Sequence, residues 1–268
     1  MSVISIDKLK FSYNDKEILK DISFKVKIPS FVSIIGSNNC GKTTLIKCLA
    51  GIMPVEESII IDDIVLNKKN IKKYSRNIGV VFSRDQNQFL FDKVIDEITF
   101  PLCNLNYSKK KMREAVDEIN KLLFLDSILE KEVWELNELE KLKVLLAISL
   151  VYRPNILLLD DVFVGLNNED REKIILILKR VIKEFGVIVI STTSNLSDTI
   201  YSDAILVIDD GVIRYSGRLN DILEYDNTLT RLGIEIPVMM DISLKLKFYD
   251  LLDRVILNEE EMVDELWD

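Results

Sequence analysis

Histidine is absent from all 268 residues, and no glycine lies between Gly79 and Gly165. The first absence removes the side chain that most often moves protons near neutral pH, so no acid–base scheme built on imidazole is available. The second removes, from the middle of the chain, the residue that best allows close backbone approach to a ligand. Cysteine is scarce. Cys40, Cys48 and Cys103 follow no metal or disulfide spacing, which suits a reducing compartment. Long apolar runs are missing too. The longest, Val144 to Tyr152, is about half of a membrane span and is bounded by Lys143 and Arg153. The start, Met1-Ser2-Val3-Ile4-Ser5, lacks the basic stretch and apolar core of a secretion signal. A net charge of −9 counts against a general nucleic-acid binder. No internal repeat or low-complexity segment stands out.

What is present is a hydrophobic fraction of 48%, ample for a core, and one motif with a clear mechanism. Gly36-Ser37-Asn38-Asn39-Cys40-Gly41-Lys42-Thr43-Thr44 fits G-x-x-x-x-G-K-[ST], a loop whose backbone N–H groups cradle the phosphates of a nucleoside triphosphate. Lys42 would neutralise the β- and γ-phosphates, and the Thr43 hydroxyl would ligate Mg²⁺. The flanks agree, because Phe31–Ile35 reads as a buried strand and Lys42–Leu49 as a helix. Asn39 stands where glycine is common, and Asn tolerates a left-handed backbone. ATP is the expected ligand.

Strand-like runs occur at Val3–Ile6, Ile22–Val26, Phe31–Ile35, Ile59–Ile61 and Ile78–Phe82. Helical patterns then cover Val94–Leu102, Lys109–Leu125 and Asn137–Tyr152. Two apolar strands follow, Ile156–Leu159 and Val187–Ile190, separated by a helix over Asp170–Phe185. A hairpin turns at Asp210-Gly211, between Ala204–Ile208 and Val212–Tyr215, and the clearest late helices are Lys245–Val255 and Glu259–Trp267. Continuous apolar strands alternating with helices predict a parallel sheet covered on both faces. The apolar strand ending in Asp160-Asp161 supplies the other half of the nucleotide site. Asp160 would meet the Mg²⁺ on Thr43, usually through water, and Asp161 would face the γ-phosphate and polarise the attacking water.

These residues together resemble the ATP-binding cassette family over nearly the whole chain. Tyr13, in Phe11-Ser12-Tyr13, takes the place of the ring that stacks on adenine. Val80-Val81-Phe82-Ser83 matches the strand that ends in glutamine, and Leu136-Asn137-Glu138-Leu139-Glu140 lies where the serine-glycine-glycine signature belongs. Val164-Gly165-Leu166-Asn167 matches the segment that ends in aspartate. Within the family the best resemblance is to the ATPases of energy-coupling factor transporters, through Asn87-Gln88-Phe89, Leu232–Val238 and Ser243–Lys247. The resemblance implies an α/β P-loop NTPase fold of the cassette type: a mixed sheet core with an antiparallel β part, a helical subdomain over about 90–152 within a unit spanning 1–218, and a short, dimer-contacting helical extension over 219–268. It also implies a second cassette ATPase, a transmembrane scaffold and a membrane substrate-binding component as partners. The location would be the cytoplasmic face of the cell membrane, and the cargo a vitamin or metal ion.

The departures from that family are expected to weaken hydrolysis. Glu138 and Glu140 bring negative charge toward a partner's phosphates, and two like charges about 4 Å apart cost around 4 kcal/mol at an effective dielectric of 20. Leu139 replaces a glycine, while Asn137 and Glu140 keep the pattern of a capping pair. Ser83 is two carbons shorter than glutamine, Asp161 one methylene shorter than glutamate, and Asn167 stands in for aspartate. Thr192 and Thr193 occupy the region of the missing switch histidine. The chain therefore reads as the weak half of a heterodimer. A non-hydrolysing regulatory cassette protein is the alternative, and a soluble cassette ATPase acting on DNA or ribosomes is disfavoured by the acidic charge.

Overall fold

The computed structural model describes residues 3–27, 29–55, 57–82, 88–253, 255–256 and 259–267. Two sheets organise them. An antiparallel sheet contains β1 (Ile4–Tyr13), β2 (Lys16–Val26), β4 (Ile59–Ile61) and β5 (Ile64–Val65) in the order β2-β1-β4-β5. The larger sheet runs β10-β9-β3-β8-β7-β6, built from β3 (Phe31–Ile35), β6 (Ile78–Phe82), β7 (Ile156–Asp160), β8 (Ile188–Thr193), β9 (Ala204–Asp209) and β10 (Val212–Gly217). Strands β9, β3, β8, β7 and β6 are parallel, and only the edge strand β10 is antiparallel. The mixed sheet expected from the sequence is therefore present.

Alternation along the parallel strands assigns the two faces. Ile156, Leu158, Ile188 and Ile190 pack on helix α1 (Lys42–Leu49) and, through it, on Ile4, Leu9 and Ile22 of the antiparallel sheet. Leu157, Leu159, Val187 and Val189 face α3 (Val94–Asn104), α4 (Lys109–Leu123), α5 (Glu138–Leu150) and α6 (Asn168–Phe185). Both faces are dry, which explains runs such as Ile156–Leu159 with no polar residue. Gly79 is needed where α5 crosses β6, because a Cβ there would sit 2.3 Å from the Ser149 carbonyl oxygen.

Two helix boundaries carry local causes. Asn167 caps α6 by accepting the Asp170 N–H at 2.9 Å, and Gly186, at φ 68, ends it in the left-handed conformation. The helix expected over Lys109–Leu125 stops at Leu123 because Phe124 turns left-handed at φ 56.

The C-terminal region departs most from expectation. The helix expected over Lys245–Val255 is instead α9 (Val238–Phe248), entered at Pro237 and followed by Asp250 at φ 57. Pro237 fixes the start, since its ring pre-sets the backbone and needs no N–H partner at a helix entrance. Short helices α2 (Ile71–Ser75), α7 (Leu219–Leu223) and α8 (Asp226–Arg231) and the last helix α10 (Glu259–Trp267) complete the chain. Ile222, Leu229, Ile234 and Met240 close over Ile35, Ile205 and Val207 of the large sheet. Among the described residues no helix is long and apolar enough to cross a membrane.

Candidate nucleotide site

The strand–loop–helix unit places the glycine-rich loop between β3 and α1. Asn39 adopts φ 67, the left-handed conformation its short polar side chain tolerates, and Gly41 enters α1 at φ 112. At Gly36 a Cβ would lie 2.3 Å from the Ile208 carbonyl oxygen and 2.6 Å from Cys40 Sγ. Lys42 is buried and arches back, its Nζ donating to the carbonyl oxygens of Gly36 at 2.7 Å and Ser37 at 2.9 Å. An ammonium held over the loop by two carbonyls is positioned to turn to an anion entering the same space. The adjoining cleft, about 300 Å³, is lined by Asn38, Asn39, Gly41, Lys42, Thr43, Thr44 and Asp161, with Lys16 and Ile18 from β2. Neither β2 residue carries a motif. Only the hairpin that folds β2 against the loop brings them in.

One hydroxyl ties the Asp160 carboxylate to the Asp161 backbone. Thr192 Oγ1 donates to Asp160 Oδ1 at 2.7 Å and accepts the Asp161 backbone N–H at 3.0 Å. Thr43 Oγ1 donates to the same Asp160 oxygen at 3.2 Å. Asp161 is buried at φ 51, a conformation that bends the chain out of β7 toward the cleft. The oxygen donors of Thr43 and Asp160 are the hard ligands a small divalent cation takes.

Other expected residues fall in different places. Tyr13 ends β1, 42% exposed, edge-on to Phe11 with ring centroids 5.0 Å apart, and is not among the residues lining the cleft. Ser83 and Asn87 lie outside the described residues. Thr192 and Thr193 belong to β8 and are buried; the chain leaves the strand only at half-buried Ser194. That strand end is set by pairing with β3 and β7 rather than by local pattern.

Asn137 and Glu140 form the reciprocal cap at the start of α5. Asn137 Oδ1 accepts the Glu140 N–H at 2.9 Å, and the Glu140 carboxylate accepts the Asn137 N–H at 3.0 Å. That N–H, with Lys131 3.1 Å away, holds the Glu140 carboxyl below its ordinary value. Glu138 pairs with Lys141 at 2.8 Å. Half-buried Leu139 packs on the helical core. Each carboxylate thus has its own lysine, which reduces the repulsion toward a partner's phosphates expected from the sequence. Asn167 serves as the α6 cap described above, and Gly165, at φ 88, stands in open space.

Residues 19–164 match the family described as ABC transporter. The chain belongs to the ABC transporter ATPase family. Over its full length it is 32% identical to the energy-coupling factor transporter ATP-binding protein EcfA1 of Streptococcus pneumoniae serotype 2 (strain D39), covering 98% of that protein. The EcfA1 of Ligilactobacillus salivarius is 32% identical over 98% of this chain and 95% of its own length. Among solved structures, cbiO1 from Clostridium perfringens, described as part of the ABC transporter complex cbiONQ, superposes with a TM-score of 0.77 at 26% identity, over 87% of this chain and 95% of cbiO1. A bacterial Atm1-family ABC exporter with ATP bound superposes at 0.72 and 26% identity, over 87% of this chain and 41% of that one. The ABC cassette fold and an ATPase whose hydrolysis is coupled to transport follow from this membership. Within the family the chain is similar over its full length to energy-coupling factor ATP-binding subunits.

Proposed function

We propose that this ABC ATPase is the ATP-binding subunit of an energy-coupling factor importer for a vitamin or metal ion, and the weakly hydrolysing half of a heterodimer. Its partners are a second, intact cassette ATPase, a transmembrane scaffold and a membrane substrate-binding component, at the cytoplasmic membrane face. The unit over 1–218 carries the nucleotide, with 90–152 as its helical arm, and 219–268 contacts the dimer.

The observation that carries the weak-half reading is the closed cap at Asn137–Glu140. N–H groups at the start of a helix attract anions only when they are free to point at them. Here those of Asn137 and Glu140 are taken by each other's side chains, and the turn carries two carboxylates. A partner's triphosphate would meet an occupied, acidic helix start.

The chain's own site fits Mg-ATP better. Gly36 to Thr44 supply the phosphate cradle, and Lys42 turns from two carbonyls to the β- and γ-phosphates. Thr43 and Asp160 would hold the metal, and Tyr13 would stack on the base. Bound Mg-ATP supplies the phosphoanhydride and the charge that the cradle neutralises. Asp161 orients water from a carboxylate one methylene shorter than glutamate, and an error near 1 Å in such positioning can cost about 10²-fold in rate.

Calorimetry with Mg-ATP, paired with turnover of the protein alone and mixed with an intact cassette partner, tests the reading. Tight binding that disappears in Lys42→Ala, with turnover only in the mixture, is expected. Brisk turnover by the protein alone would refute the weak-half assignment.

A further inference from the structure

The loop from Val162 to Asn167 is pinned at both ends to one short stretch of chain. At its near end the Asp161 N–H is fixed by Thr192 Oγ1 in β8. At its far end, in the first turn of α6, Arg171 Nε lies 2.8 Å from Asp198 Oδ1. The two atoms are off the line of a hydrogen bond, so their attraction is ionic. Asp198 is only 3% exposed and sits in the 3-10 turn Leu196–Thr199, just beyond β8. Its second oxygen accepts the Thr193 hydroxyl. The Arg171 backbone N–H donates to the Asn167 carbonyl at 3.0 Å, and its guanidinium donates to Asn168 Oδ1 at 3.4 Å. Arg171 therefore ties the loop's exit to Asp198, while Thr192 ties its entrance. Both anchors belong to Thr192–Asp198.

That stretch is braced from the other side as well. Asn195 bridges to Glu235 in parallel register, and buried Ile234 shares a cluster with Ile35 and Leu196. Between its anchors Val162 and Phe163 are buried in the helical core, and only the tip stands clear: Val164 is 64% exposed, and nothing lies within 4 Å of the space a Cβ would take on Gly165. Because both ends share one base, a shift of that base reaches the exposed tip from both sides.

A buried ion pair is poor evidence of net stabilisation, because desolvation offsets much of the attraction. It does fix geometry. Burial raises the Asp198 carboxyl, the Thr193 hydroxyl and Arg171 lower it, and the charge on Asp161 raises it, so the two carboxylates sense one another.

We propose that Asp198 and Arg171 are positioning residues that couple the nucleotide site at Asp161 to the loop Val162–Asn167, so that triphosphate binding is transmitted to that loop without a histidine. The inference rests on the proposed nucleotide site.

Hydrogen–deuterium exchange on the full chain, with and without Mg-ATP, tests it. In the unaltered protein Mg-ATP should slow exchange both in the phosphate loop, 36–46, and in 162–170, each by about tenfold. Asp198→Asn should keep the first response and lose most of the second, and Asp198→Glu should restore it. Where Asp198→Asn does not fold, Arg171→Gln, at a partly exposed position, takes its place. A response at 162–170 that survives these substitutions overturns the proposal. So does faster exchange that is equal with and without nucleotide, because the pair would then be structural only. A phosphate loop that responds while 162–170 does not, in the unaltered protein, overturns the coupling and leaves the site assignment standing. No response at 36–46 refutes the site assignment, and the coupling with it.

Discussion

Thr192 Oγ1 holds both carboxylate residues of the site, donating to Asp160 Oδ1 at 2.7 Å and accepting the Asp161 N–H at 3.0 Å. The hydroxyl is fully buried, so its loss leaves a polar group with no water to turn to. Thr192→Val should destabilise the protein by about 1–3 kcal/mol, the cost of an unsatisfied buried donor, and Thr192→Ser by less. Urea unfolding midpoints measure this. Equal midpoints for the valine variant and the parent would mean that the hydroxyl does not organise the pair.

Two glycines of the site separate steric from conformational need. Gly36→Ala places a methyl against the Ile208 carbonyl and Cys40 Sγ, so the loop must shift. A loss of Mg-ATP affinity of about tenfold or more, about 1.4 kcal/mol, is expected from calorimetry. Gly165→Ala meets no atom but sits at φ 88, so it should cost roughly 1 kcal/mol of stability and leave affinity unchanged. The reverse ranking in affinity would contradict the placement of the cradle.

The α5 cap predicts an acid-sensitive element. The Asn137 N–H and then Lys131 lower the Glu140 pKa in the folded state, so its carboxylate stabilises the fold at neutral pH. The contribution is complete above the ordinary glutamate range and is lost as pH falls through the lowered folded value. The stability difference between the parent and Glu140→Gln should stay constant at neutral pH and vanish in acid. A difference that grows in acid would reverse the sign argued here. Separately, Asn137→Ala should cost about 1 kcal/mol, the usual worth of such a cap.

Thiol reactivity should divide the three cysteines. Burial raises Cys40, with Lys42 pulling the other way, and pushes Cys48 up to about 12, whereas Cys103 is exposed. Only the thiolate reacts quickly. A native maleimide titration should show one fast thiol, at Cys103, and release the other two on unfolding. Fast labelling at Cys40 would mean that the phosphate loop opens its buried thiol to solvent.

Much of this protein is written locally. The order β3–loop–α1, the left-handed Asn39, the cap between Asn137 and Glu140, and the apolar strand ending at Asp160-Asp161 all follow from residue types at short spacing. Backbone conformation and helix capping are decided within a few residues, so the chain specifies them before it folds. Tertiary structure decided the rest. Lys16 and Ile18 reach the cleft only because β2 folds back beside the loop, and α9 is displaced by the start that Pro237 imposes and by packing of Met240 over the large sheet. Thr192 touches Asp160 across 32 residues of sequence, and Arg171 meets Asp198 across the turn beyond β8. No periodicity encodes such pairs, because they depend on which strands are neighbours in the sheet.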